Sequence, residues 1–260
     1  RFDRFFCELN AMDSGVWELF LNSPHSSGHF VGRELITRWE RGKGDLAHSD
    51  SARITGYKAW GRDAVFVART SSLRATLTCG AMHAQNGAVL LPNQSSQLVS
   101  LWAYCESSEF QDVIRKLDQK IIVASGVFLA APFSSEHWQK VAAEKYPNGL
   151  PEPQSDDPTQ WLFHGHPGKA EPATVLQAAV GRLLGYRWPP ELDTKMRLAD
   201  EAREWVARCN ELKNFADQDG IVCLSATRGE RSAADRLREL LSAALGSDWS
   251  NARERELLAA

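Results

Sequence analysis

The chain has 260 residues, 43% of them hydrophobic and 24% charged, with a formal net charge of -3. That length makes one large or two ordinary domains with a sizeable core, and the balance is that of a soluble globular protein. A surface coated in positive charge is excluded, and no apolar run approaches the roughly 18 residues of a membrane span.

Residues 1–50 mix aromatic and polar side chains at no clean period. RFDRFFCELN and GVWELFLN predict short strands, with Gly15, Pro24 and Gly28 as punctuation. VGRELITRWERGKGD then sets Arg33, Arg38, Arg41 and Lys43 around Trp39, a combination that holds phosphates and stacks on a base. Glu34, Glu40 and Asp45 offset much of that charge, so a solvated surface is the competing reading.

From Ala64 the pattern is β. AVFVA is a short apolar run, LRATLTC alternates, and Gln85-Asn86-Gly87 before AVLLP supplies the Asn-Gly pair that hairpin turns prefer. The period then changes: Leu98, Leu101, Trp102 and Cys105 share one helical face, and Phe110, Val113, Ile114 and Leu117 another, with Ser107 and Ser108 as caps between them. KIIVASGVFLAAPF returns to strand-like character, and Ser134 or Ser135 caps a helix carrying Trp138, Val141 and Ala142. Strands, a helix pair, a strand and a helix make an α+β recognition domain over residues 1–149, not the βαβ alternation of a cofactor-binding sheet.

Residues 150–167, LPEPQSDDPTQWLFHGHP, form a proline-rich connector. Four prolines remove donors and fix φ, ruling out a through-running helix. Trp161, Leu162 and Phe163 predict an ordered segment packed on one half, because a solvated tether would leave them exposed. From 168 to 260 the chain reads as a mainly helical module. Val175, Leu176, Val180, Leu183 and Leu184 make one stripe, closed by Gly185 and Pro189-Pro190. A second helix from about Thr194 to Ala216 carries Leu198, Ala202, Trp205, Val206, Cys209 and Leu212. A third starts at Ser232, with Asp235 at the capping-box position and Gly246 at its end.

Five cysteines, Cys7, Cys79, Cys105, Cys209 and Cys223, are odd in number and widely spaced. They read as reduced core thiols in a cytoplasm, not as a disulfide framework or zinc site; Cys79 and Cys223, in apolar runs, are expected buried and inert. His164-Gly165-His166 invites a metal, but no partner ligand stands at a recognised spacing, and a structural role beside Trp161 is the favoured reading. Asp156-Asp157 invites a Mg²⁺ nuclease centre, yet Asp-Asp-Pro is common turn chemistry. There is no phosphate loop and no Gly-x-Ser-x-Gly elbow.

Charge is unevenly distributed. Between Ser51 and Cys105 the bases are Arg53, Lys58, Arg62, Arg69 and Arg74, while Asp63 is the only acid. A local basic face is therefore expected as readily as a solvated sheet surface.

HWQKVAAEKYPNGLPEPQSDDPTQWLFHGHP followed by LQAAVGRLLGYRWP resembles the region behind the catalytic domain of large bacterial adenine-N6 DNA methyltransferases of phage defence. These are the type IIG restriction–modification enzymes and the methyltransferases of BREX (PglX) and DISARM systems. SLWAYCESSEFQDVIRKLDQKIIVASGVFLAAPF is similar to the part that closes their target-recognition domain. The resemblance covers most of the chain, more firmly from about Asn86.

It implies a cytoplasmic DNA-specificity fragment whose partners are double-stranded DNA, the catalytic domain of the same protein and defence-system subunits. It implies no cofactor within this fragment: S-adenosylmethionine would sit in a catalytic domain ahead of Arg1. In keeping with that, neither a glycine-rich turn after a first strand nor an Asn/Asp-Pro-Pro-aromatic loop occurs, since Pro189-Pro190 stands between Trp188 and Glu191. The residues assigned to DNA are Lys58, Arg62, Arg69, Arg74 and Asn93, with Arg or Asn reading base edges and Lys holding phosphate. Two other readings remain: a protein-interaction module of a defence complex, and part of a metal-dependent nuclease.

Overall fold

The computed structural model describes residues 3–5, 16–33, 35–70, 72–152, 165–192, 194 and 198–259. They form an α+β fold and divide into two compact units, 3–5 with 16–152 and 165–259. Trp161 to His164 and Asp156-Asp157, with the packing and metal readings placed on them, lie outside the described residues.

In the first unit, β1 (Asp3–Phe5) and β2 (Trp17–Leu21) flank β3 (Leu35–Arg38) antiparallel. After a single turn of helix, α1 (Asp45–His48), the chain enters a second sheet. Here β4 (Val65–Ala68) is the centre, with β5 (Ala75–Leu77) and, later, β7 (Gly87–Leu90) antiparallel on either side. All four β4 side chains are buried, as the continuous apolar run AVFVA requires of a strand covered on both faces.

The Asn-Gly turn does not close a hairpin. β6 (Met82–His83) pairs in parallel with β2 in the first sheet, and Gln85-Asn86 carries the chain across to β7 in the second. Tertiary partners set this turn: Asn86 donates to the Asn22 carboxamide at 2.8 Å, and its carbonyl accepts from Arg69 N–H at 3.1 Å. Gly87 is required there, because a Cβ would lie 2.0 Å from the buried Phe66 ring.

Helices α2 (Leu98–Cys105) and α3 (Ser108–Leu117) appear where the 3.6-residue period places them, and Ser107 Oγ accepts from Phe110 N–H as the N-cap. The expected strand over KIIVASGVFLAAPF is absent. Ile122 makes only an isolated bridge to Thr70, and Val127–Ala130 is a helical turn, α4. The cause is Asp118, whose carboxylate accepts from Lys120 and Ala124 N–H and wraps the backbone around itself. Helix α5 (Ser135–Lys145) is capped by Ser134 and packs on α2. Trp102 Nε1 donates to Tyr146 Oη at 2.9 Å, and that hydroxyl donates to Glu106, which also holds Lys145 at 2.8 Å.

The second unit is helical: α6 (Val175–Leu183), α7 (Pro189–Leu192), α8 (Asp200–Glu211), α9 (Ala233–Leu245) and α10 (Asn251–Ala259). Its apolar core joins Val175, Ala179 and Leu183 to Leu240, Leu241 and Leu257. The buried face of α6 is Val175, Ala178, Ala179, Arg182 and Leu183; Val180 and Leu184, placed in the stripe by sequence, are each 39% exposed. The second helix is shorter than expected, starting at Asp200 and tightening to a 3-10 turn at Leu212–Phe215. Cys79 and Cys223 are only half-buried, the latter with Sγ 3.1 Å from Glu230 Oε2, whereas burial pushes the Cys209 thiol up to about 12.

The face of α6 turns toward an ion network. Arg182 donates to both Glu191 oxygens at 2.6 and 2.9 Å and to Gly165 O at 2.7 Å. Glu191, with no exposed side-chain surface, also accepts from Arg187 Nε and from Trp188 N–H, closing the start of α7 as half of a capping box. Gly165 adopts φ +71°, and a Cβ there would meet the Tyr186 ring at 2.7 Å. Replacing Arg182 by Met leaves the buried Glu191 carboxylate with Arg187 and Trp188 N–H alone, and should cost up to about 3 kcal/mol in urea unfolding. Adding Glu191→Leu should recover part of that loss; a double variant as unstable as the single one would show the network is not the cause.

Candidate nucleic-acid interface

The segment between β3 and β4 forms the interface by being pinned to the β6–β7 connection. Gln85 Nε2 donates to Arg53 O at 2.8 Å. The His83 ring lies on Gly56, which has φ +80° and whose absent Cβ would fall 2.4 Å from the imidazole. Only glycine permits both the left-handed backbone and this approach. Burial lowers the His83 pKa despite backbone carbonyls that raise it. The 3-10 turn Tyr57–Ala59 follows, burying Ala59 and leaving Lys58 in solvent.

The result is a groove of about 500 Å³ with Arg53, Lys58 and Arg69 along it, floored by β7 and bordered by Ser125, Gly126 and Leu129. No carboxylate occurs among the described residues that line it. Arg69 is not a free surface cation: its Nε donates to Val123 O at 2.7 Å and Nη1 to Gln85 O at 3.5 Å. These are neutral acceptors, so the guanidinium fastens the far wall while keeping its charge.

A second cavity of about 290 Å³ shares Arg53, Thr55, His83 and Gln85 with the groove. Its walls are apolar: Phe20, Met82 and the indoles of Trp39 and Trp60, which meet edge to face at 5.3 Å between centroids. Trp60 Nε1 is buried and has no hydrogen-bond partner among the described residues.

Of the residues assigned to DNA from sequence, Lys58 and Arg69 share the groove. Arg62, Arg74 and Asn93 do not line it. Arg69 immediately follows β4 and Arg74 immediately precedes β5. Sequence reasoning counted Arg53 in the acid-poor tract without choosing it; its place depends on a bond to Gln85, 32 residues away. Around Trp39, Arg33 is buried over the Phe30 ring and donates to Leu77 O, and Arg38 is paired with Glu40 at 2.7 Å. Of that cluster, Trp39 lines the second cavity.

Among the described residues no group of three or more His, Cys, Asp or Glu side chains is arranged to hold a metal. His166 instead shapes the chain around it, since its Nδ1 accepts from Gly168 N–H at 3.0 Å and its ring meets Trp205 edge-on at 5.1 Å. No protein-family model matches the chain, and no curated protein matches it.

Burial, reinforced by Arg182 and Arg208, depresses the His166 pKa from 6.5 to about 4. The unfolded chain therefore takes up a proton that the folded one refuses. Stabilisation is complete above pH 6.5, drains as pH falls toward 4 and is bounded at about 3 kcal/mol. Urea unfolding of the second unit should weaken between pH 7 and 5. His166→Asn, which keeps an acceptor for Gly168 and cannot titrate, should flatten that slope; an unchanged slope would exclude His166 as its source.

Proposed function

We propose that this chain recognises the DNA target of an S-adenosylmethionine-dependent adenine-N6 methyltransferase in a bacterial phage-defence or restriction–modification system. The observation that carries the DNA reading is the groove whose described lining holds Arg53, Lys58 and Arg69 and no carboxylate, on a chain whose net charge is -3. A cation-lined concavity with no carboxylate among its described lining residues draws in a polyanion even where the whole molecule is mildly acidic. The methyltransferase reading rests on the long resemblance through residues 100–189. It assigns catalysis and cofactor to a separate domain, because a base methylated within a duplex is extruded while neighbouring pairs are held elsewhere.

Within this reading the roles differ from a simple division of Arg to bases and Lys to phosphate. Arg53 and Lys58 meet the backbone, and Arg69, with Nε and Nη1 engaged, contributes charge and rigidity rather than a two-pronged contact to guanine. Arg62, Arg74 and Asn93 extend the contact beyond the groove.

A protein-interaction role has one observation in its favour. Ile121, Ile122 and Leu129 are 82%, 56% and 85% exposed on the segment between α3 and α5, a concentration of bare apolar surface of the kind partners cover.

Fluorescence anisotropy on a duplex, titrated with salt, tests the DNA reading. Arg53→Gln with Lys58→Gln should weaken binding and lower the slope of log K against log salt by about 2, near 0.9 per phosphate contact. Arg62→Gln and Arg74→Gln should do less. Binding and slope undisturbed by the double change would overturn the groove as the DNA site, and loss of partner capture on Ile121→Ser with no duplex binding would favour the interaction reading.

A further inference from the structure

We propose that the Trp39–Trp60 cavity and the cationic groove together form a site for one unstacked nucleotide, its base in the cavity and its phosphate at Arg53 and Lys58. This deepens the DNA reading and rests on it only for the origin of the nucleotide. The two spaces lie side by side on the same unit and share Arg53, Thr55, His83 and Gln85 in their walls, so a ligand with its base in one has its phosphate within reach of the cations of the other.

The chemistry of the two compartments differs in the way a nucleotide's does. The inner one is apolar and aromatic and, at about 290 Å³, stands at the small end of ligand cavities, suited to a single ring system. Both indoles line the inner cavity, meeting edge to face, and stacking on Trp is tolerant of base identity. Trp60 Nε1 is a buried donor without a partner among the described residues, whereas buried donors are nearly always satisfied. The outer compartment is cationic, with Arg53 at the junction. An uncharged aromatic guest would leave those cations unused, and a bare phosphate would leave the indoles unused.

The base can come from a strand or from the free nucleotide pool, and the probes separate these. Quenching of tryptophan fluorescence by dAMP, by a single-stranded hexamer d(T)6 and by a duplex carrying 2-aminopurine is compared in the native chain, in Trp39→Leu and in Arg53→Gln. The last leaves the indole pair intact. Saturable quenching by dAMP or the hexamer, lost in Trp39→Leu and weakened about tenfold in Arg53→Gln, is the expected result. Binding of dAMP without the hexamer identifies a free nucleotide as the source. Binding of the hexamer, with a rise in 2-aminopurine emission, identifies a strand.

No quenching by dAMP or the hexamer at millimolar concentration overturns the site. So does quenching that persists in both variants. Duplex binding retained in Trp39→Leu, with no response to dAMP or hexamer, would sink this inference and leave the groove reading standing; nucleotide binding with no duplex binding would do the reverse.

Discussion

Strand β4 is the constraint on which the first unit depends. Val65, Phe66, Val67 and Ala68 are all buried, so both of its faces must be covered and both of its edges paired. β5 and β7 satisfy the edges, and α2 lies against it. The ring of Phe66 leaves no room for a side chain at Gly87, which fixes where β7 begins. Immediately past the strand, Arg69 turns its guanidinium onto Val123 and Gln85. The same four residues that anchor the core therefore deliver the cation that joins the groove's walls. A shift of β4 by one residue would exchange the faces its side chains present and move that cation away.

The second unit is organised by electrostatics placed where an apolar stripe was anticipated. On the buried face of α6, Arg182 stands beside Ala178, Ala179 and Leu183, and its guanidinium engages Tyr186 O and Glu191. A buried Arg–Glu pair adds little net stability over apolar residues of equal volume, because desolvation consumes the attraction. Its geometry is specific, however: the fork of Arg182 fits one carboxylate, and its remaining nitrogen requires the Gly165 carbonyl. Ordering of the chain before α6 is thus tied to the position of α7.

Local signals in the sequence were legible and long-range ones were not. Ser107, Ser134 and Ser232 cap the helices that their spacing announced, since a cap bonds three residues away. The β4 run was readable for the same reason, as were Trp102 and Cys105 of α2 and Phe110 and Ile114 of α3, although Leu117 of that expected face is 50% exposed. What failed was decided at a distance or by a single polar side chain. Asn86 looked like a hairpin turn, but Asn22 and β2 claimed it. Asp118 cancelled a strand that composition favoured. Charge counting found the acid-poor tract and so Lys58 and Arg69, but Arg53 and the Trp39–Trp60 contact link residues tens of positions apart, with no periodic trace.

The groove's sign also shows why net charge is a poor guide to a surface. Several acids of the first unit are consumed: Glu40 by Arg38, Glu106 by Lys145 and Tyr146, and Glu136 by Lys140. Arg69, in contrast, is held by carbonyl dipoles, which align a guanidinium without neutralising it. Field at a concave site falls off over roughly a Debye length of 10 Å, so distant carboxylates that make the chain acidic overall scarcely reach it. A cation fixed by neutral acceptors, beside two more on a pinned loop, therefore gives a positive groove without an excess of basic residues.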